Sequence, residues 1–132
     1  MTYLLDTSVC VSALRHDPHV LKRLLSEPRA EVTLSAITEA ELRLGVAKSS
    51  TWSKNLRIVE NFLAPFTVLE FASSDAKTYG QVRAKLERAG TPIGPLDTLL
   101  AAHALARELT LVTHNEREFR RVTGLRVENW AA

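Results

Sequence analysis

Short apolar runs alternate with longer helical patterns along this chain, and that alternation limits its folds more than any other feature. Tyr3-Leu4-Leu5, Val32-Thr33-Leu34 and the segments 66–71 and 109–113 read as strands, and Leu125-Arg126-Val127 as a terminal strand. Helical patterns fill the intervals. Strands separated by helices predict a parallel sheet with helices on both faces. The expectation is a three-layer α/β/α domain with about five strands, taking in residues 1–132 as one domain. No repeat, low-complexity stretch or interdomain linker interrupts it. Strand order stays open, although right-handed crossovers restrict the choices.

The helices carry their own boundary signals. Val9 to Leu14 follows the first strand, and Pro18 opens a second helix through about Leu25. Ser35 stands in N-cap position for a helix running to about Ala47. Trp52, Leu56, Val59, Phe62 and Leu63 fall at helical spacing on one apolar face, and Pro65 ends that helix. From Ser73 to Ala89 the pattern is amphipathic. Ala76, Tyr79, Val82, Leu86 and Ala89 form its inner stripe, with Lys77, Gln81, Arg83, Lys85 and Arg88 off it. Gly90 is a natural C-terminal stop. Leu96 to Arg107 is apolar nearly all round, so it is expected to lie buried between the sheet and another element. A short helix is expected over 117–122.

Composition excludes several function classes. A single cysteine, Cys10, rules out an internal disulfide framework and clustered-cysteine zinc, and it fits a reducing compartment. His16, His19, His103 and His114 show no metal-ligand spacing. The apolar run from Leu96 to Ala106, interrupted by Asp97 and His103, is too short to span a bilayer. The N-terminus lacks a basic region followed by a long apolar one. These features together predict a cytoplasmic protein with no membrane partner. Seventeen basic and fifteen acidic side chains leave a net charge of +2, compatible with a nucleic-acid partner without demanding one.

Function is suggested by where the acids fall. In an open parallel sheet, ligands bind beyond the carboxyl ends of the strands. Asp6 ends the first strand there. The helix after the second strand starts at the same edge, with Glu41 in its second turn. The helix leading into the fourth strand runs antiparallel to that strand, so its first turn delivers Asp97 to this edge too. Asn115 follows the end of the fourth strand. Three like charges on one rim repel unless a cation or raised pKa values relieve them. Hard oxygen ligands with room for water suit Mg²⁺ or Mn²⁺ better than zinc.

Each residue also has a plainer reading. Thr38-Glu39-Ala40-Glu41 matches a capping box, although Ser35 is the better cap and would leave Glu41 past it. Gly94-Pro95-Leu96-Asp97 is also an ordinary helix start, with proline first and an acid favoured by the helix dipole. Asn115 suits a turn. His103 on an apolar helix reads as a core histidine, His114 as an exposed loop residue, and Cys10 as a small core residue. The basic residues between 77 and 88 read as a solvated face.

Four segments, Leu5-Asp6-Thr7-Ser8, Thr38-x-x-Glu41-Leu42, Pro92-x-Gly94-Pro95-x-Asp97-x-x-x-Ala101-x-x-Ala104 and Leu111-Val112-Thr113-x-Asn115-x-x-Glu118-Phe119, together resemble a PIN-domain ribonuclease. More closely, they resemble the VapC-type toxins of bacterial toxin–antitoxin pairs, in order and spacing over essentially the whole length. The resemblance implies a PIN-like α/β/α sheet, a homodimer, and metal-dependent cleavage of RNA phosphodiesters. It makes Asp6, Glu41 and Asp97 the acids that bind Mg²⁺ or Mn²⁺. Asn115 joins them as a catalytic-site residue, where many PIN domains have a fourth Asp. It gives Glu118 as a substitute carboxylate, and Thr113 or Ser8 as the group that orients Asp6. It also implies a VapB-type antitoxin that covers the cleft in a higher-order complex, and tRNA as substrate, with the initiator anticodon loop as one target. Lys48, Lys54, Arg57, Arg83, Lys85 and Arg88 are the basic side chains available to RNA phosphates.

Two rivals come from other classes. One is a PIN-like scaffold that binds RNA or protein without cutting, favoured only by Asn115. The other is a phosphoacceptor domain using Asp6 as nucleophile. Asp6-Thr7-Ser8 lacks both the neighbouring acids of receivers and the Asp-x-Asp of the phosphatases.

Overall fold

The structure, a computed structural model, describes residues 1–131. β1 (Tyr3–Leu5) leads into α1 (Thr7–Leu14) and α2 (Pro18–Ser26), and a short 3₁₀ turn (Arg29–Glu31) precedes β2 (Val32–Ser35). Next come α3 (Ala36–Ala47), α4 (Trp52–Leu63), β3 (Thr67–Leu69) and α5 (Ser73–Arg88). α6 (Pro95–Ala106), β4 (Thr110–Val112), α7 (Glu116–Phe119) and β5 (Val127–Glu128) complete the order. The strands form one parallel sheet in the order β3-β2-β1-β4-β5, with Leu5 beside Leu34 on one flank and Val112 on the other. The expected α/β/α layering with five parallel strands is present.

Alternation along the strands builds the two apolar layers. Leu5, Val32, Leu34 and Val112 pack on one face with Val9, Cys10, Val20, Leu42 and Val59. Leu4, Leu69 and Leu111 pack on the other with Val82, Leu86, Ala101, Ala104 and Phe119. Successive strand residues point to opposite faces, so adjacent leucines serve opposite layers. The stretch of α6 from Leu100 to Ala104 is buried, as its largely apolar sequence predicts, while Leu96 at its start is exposed. Cys10 is a fully buried core residue, also as expected. Among the described residues no helix is long and apolar enough to cross a membrane.

Several boundaries and faces differ from the sequence reading. α1 begins at Thr7, not Val9, because the Asp6 carboxylate caps it by accepting from the Val9 amide at 3.0 Å. β3 occupies only Thr67–Leu69, β5 lies two residues beyond its expected start, and α7 ends at Phe119. Trp52 is exposed, so the inner face of α4 rests on Val59 and Leu63. The largest difference is in α5. Ala76 and Ala89 face solvent, while Asp75 is fully buried beside Val82 and Leu86. Its charge is accommodated because Arg107, at the end of α6, donates from Nε and Nη2 to its two oxygens, each at 3.0 Å. Gly90 ends α5 with φ +71°, while the Gly90 and Thr91 amides bond the Glu87 and Leu86 carbonyls.

Candidate active site

The chain passes outward from β1 through β2 to β3 and then returns to the other side of β1 for β4. Such a reversal leaves a crevice beyond the carboxyl ends of the two central strands. Asp6 stands at that place, immediately after β1, and is almost fully buried. Its Oδ1 accepts from the Val9 amide at 3.0 Å and the Ser8 hydroxyl at 2.6 Å. Its Oδ2 accepts a short hydrogen bond from the Thr113 hydroxyl, just past β4. Donors on both oxygens fix the plane of the carboxylate. The expected orienting residues, Ser8 and Thr113, therefore both touch Asp6.

The same hydroxyls stitch the loop after β4 to α1. Thr113 Oγ1 accepts from the Asn115 amide at 2.9 Å, and Ser8 Oγ accepts from the His114 amide at 3.3 Å. The His114 ring is half-buried, with Nε2 2.8 Å from the Ser12 hydroxyl. It is therefore a packed loop anchor and not the exposed residue expected from sequence. Its partner on α1 lies 102 positions away, so no local pattern announces it.

Glu41 reaches the rim on α3. Ser35 caps that helix, accepting from the Ile37 amide at 3.0 Å, which leaves Glu41 free of capping duty. Its Oε1 accepts instead from the Thr7 hydroxyl at 2.7 Å, linking α3 to the start of α1. Thr38, the rival cap, is buried inside the helix.

Asp97 lies in the first turn of α6, half-buried. Burial, then the charges of Asp6, Glu118 and Glu41 in that order, push its carboxyl above the usual range. This shared repulsion is the electrostatic sign that acids from four separate segments occupy one neighbourhood. Glu118 belongs to it, its Oε2 accepting a hydrogen bond of 3.2 Å from Asn115 Nδ2. Asn115 itself is exposed.

The donor set is all oxygen. Among the described residues no three His, Cys, Asp or Glu side chains form a ready-made metal cage. Zinc takes such closed nitrogen and sulfur cages. Mg²⁺ keeps several waters and uses one or two carboxylates, so an open, acid-lined rim fits it. Burial, followed by the nearby Asp6 charge, pushes the Cys10 thiol well up, leaving no thiolate nucleophile. Of the basic side chains, Lys85 and Arg88 are exposed on α5, whereas Arg83 bonds Glu87 at 2.8 Å and the Tyr79 hydroxyl at 2.6 Å.

Comparison with known proteins agrees with this geometry. Residues 3–125 match the family described as PIN domain. The chain is 37% identical over 131 residues to a tRNA(fMet)-specific endonuclease VapC of Shigella flexneri, covering 99% of each. It is 38% identical over 130 residues to the protein of the same name from Salmonella typhimurium, covering 98% of each. In three dimensions it superposes on a chain of the DNA-bound VapBC complex of Salmonella typhimurium with a TM-score of 0.94, at 39% identity and covering 98% of both chains.

Proposed function

The chain belongs to the PIN-domain family, and on that premise we propose that it is a Mg²⁺- or Mn²⁺-dependent endoribonuclease toxin acting on tRNA and restrained by an antitoxin chain. The observation that carries this reading is the gathering of Asp6, Glu41, Asp97 and Glu118 from four segments at the end of the central strands. Thr7, Thr113 and Asn115 hold three of them there, and burial with the neighbouring charges pushes the Asp97 carboxyl up. Acids that repel one another in the free protein are well suited to a divalent cation. The relatives from Shigella flexneri and Salmonella typhimurium, named for initiator tRNA, support the substrate class. The anticodon loop of that tRNA, with splayed single-stranded bases, suits an open rim better than a deep pocket. VapBC complexes among the structural relatives support a VapB-type antitoxin partner; a homodimer within a larger complex and a cytoplasmic site of action belong to the same reading.

In this reading Asp6, Asp97 and Glu41 would hold the cation, directly or through its waters. Ser8 and Thr113 would hold the plane of the Asp6 carboxylate, and Asn115 would steady Glu118 as an auxiliary acid. When bound, the cation neutralises charge on the scissile phosphate and lowers the pKa of a water. Hydrolysis joins a water's hydroxyl to phosphorus, breaks the bond from phosphorus to O3′ and gives the water's remaining proton to that leaving oxygen. The products carry a 5′-phosphate and a 3′-hydroxyl. Cys10 is buried away from any such role. Lys85 and Arg88 offer charge to the RNA backbone, with Arg83 held in its ion pair. Asn115, the one feature favouring a non-cleaving scaffold, leaves a carboxylate in place through Glu118. Mapping the ends of cleaved tRNA tests the route: 5′-phosphates are expected, and a 2′,3′-cyclic phosphate would exclude it.

A further inference from the structure

A second cluster of buried polar groups lies behind the acid rim, and nothing in the proposed reaction uses it. His103 on α6 and Asp75 on α5 are both fully buried. His103 Nδ1 is 2.9 Å from the hydroxyl of Ser35, the cap of α3. On its other side Nε2 is 3.7 Å from Asp75 Oδ2. Asp75 accepts from the Ala72 amide at 2.7 Å and from Arg107 through both oxygens. Arg107 also donates to the Glu70 carbonyl at 2.9 Å. One polar chain thus ties the starts of α3 and α5 to the second half of α6.

The proton positions follow from the partners. The Ser35 oxygen already accepts from the Ile37 amide, so its single hydrogen is free for Nδ1. The Asp75 carboxylate favours an N–H at Nε2, which makes Nδ1 the acceptor. His103 is then hydrogen-bonded to the helix cap through Nδ1, while Nε2, which has no hydrogen-bond partner among the described residues, faces the buried anion 3.7 Å away. α6 carries Asp97 six residues before His103, and α3 carries Glu41 six residues after Ser35. Six residues of helix span about 9 Å. The bond from Ser35 to His103 is accordingly a cross-brace between two helices, each carrying one of the rim acids about 9 Å along its axis from the bond. A buried apolar residue at 103 would fill space there but would fix neither the rotation nor the depth of α3. A buried hydrogen bond of defined geometry holds the start of α3 at a set place against α6.

We propose that the Ser35–His103–Asp75–Arg107 chain is a positioning device that sets Glu41 against Asp97. The inference rests on the reading of those two acids as cation ligands. The three side chains behind Ser35 act through α3 and α6, and none touches the reacting atoms.

Two measurements on purified protein test it. Mn²⁺ binding is followed by electron paramagnetic resonance, and the Thr7 methyl signal is followed by NMR without metal. Thr7 donates to Glu41, so its methyl reports where α3 lies. His103→Leu removes the acceptor, Ser35→Ala removes the donor, and His103→Asn replaces the acceptor near its original place. His103→Leu and Ser35→Ala are expected to weaken Mn²⁺ binding by about tenfold or more and to shift the Thr7 methyl. His103→Asn is expected to recover much of both, although it too shrinks a buried side chain. Lowered melting temperatures with native Mn²⁺ affinity and an unmoved Thr7 signal in both variants would overturn the proposal. If the native protein bound no Mn²⁺ while the methyl shifted in both variants, the brace would stand and the reading of the acids as a cation site would fall.

Discussion

Thr113 donates its hydroxyl to Asp6 Oδ2 across the junction of β1 and β4, joining residues 107 positions apart. The bond sits where the order of strands reverses, the place at which a parallel sheet opens a crevice. Thr113 is fully buried, and its oxygen also takes the Asn115 amide. One side chain therefore orients the first acid and shapes the loop that delivers Asn115 and Glu118.

Thr113→Val keeps the shape of the side chain and removes both bonds. Leaving the Asp6 oxygen and the Asn115 amide without this partner is expected to cost about 1–3 kcal/mol of stability. Cleavage should fall by about ten- to a hundredfold, as for other residues that orient metal ligands. Urea unfolding and a cleavage time course check the two halves; a native rate in the variant would show that Thr113 does not orient Asp6 for the reaction.

Asp97→Asn is expected to abolish cleavage and yet stabilise the metal-free protein at neutral pH. The Asp97 carboxyl is raised by burial and by Asp6, Glu118 and Glu41, so the folded state holds its proton more tightly than the unfolded state does. Above the raised value the charged group therefore destabilises the fold, and below the unfolded value of about 4 the effect is gone. The variant's advantage should accordingly be full at pH 7 and vanish near pH 3. Thermal melts across that range measure it. Mn²⁺ should raise the melting temperature of the native chain and leave that of the variant unchanged.

Asp75 has the opposite sign. Burial pushes its carboxyl up, but the Arg107 and Ala72 hydrogen bonds, together with the Arg107 charge, outweigh this and lower it. Its stabilisation is present above the unfolded value of about 3.9 and is lost as pH falls through the lowered one. His103 loses stability over a higher window: burial lowers its pKa, so the unfolded state takes the proton first as pH drops below about 6.5. Asp75→Asn should cost about 1–3 kcal/mol at pH 7, since the buried carboxylate's bonds to Arg107 and Ala72 are weakened while Arg107 keeps some solvent, and the difference should narrow below pH 4. Chemical denaturation at pH 7 and pH 3.5 measures the gap; an equal gap at both would contradict the assignment.

Much of this site was legible in the sequence, for reasons specific to each residue. Asp6 and Asp97 could be placed because a strand end and a Gly-Pro helix start fix their positions along the chain. Glu41 could be placed because Ser35 is a stronger cap than Thr38, and the structure uses Ser35. Asp75 was hidden because an acid on an amphipathic helix reads as part of the wet face. Only its partner 32 residues away makes burial possible. The shift of the inner face from Ala76 and Ala89 to Asp75 has the same cause. His114 was misplaced because Ser12 is remote in sequence. Strand order and the ends of two- and three-residue strands are set by pairing across the sheet, which no local pattern records.

Lys85→Ala with Arg88→Ala should flatten the salt dependence of RNA binding. Every phosphate of a single strand that a basic side chain no longer neutralises lowers the slope by about 0.7, so the pair should lower it by about 1.4. Arg83→Ala should have a smaller effect, because Arg83 is committed to Glu87 and Tyr79. Binding titrations from low to high salt with catalytically silent Asp97→Asn protein give the slopes. An unchanged slope in the double variant would dismiss this face of α5 as an RNA-binding surface.

The most direct test of the central claim is cleavage of a total tRNA pool by antitoxin-free protein, native against Asp97→Asn, with and without Mg²⁺ or Mn²⁺, and with the new 5′ ends mapped. Discrete cuts that require the cation, carry 5′-phosphates and disappear in Asp97→Asn are predicted, with the initiator anticodon loop among them. Cuts that persist without a divalent cation, or in Asp97→Asn, would contradict the assignment of the acid rim as the catalytic centre.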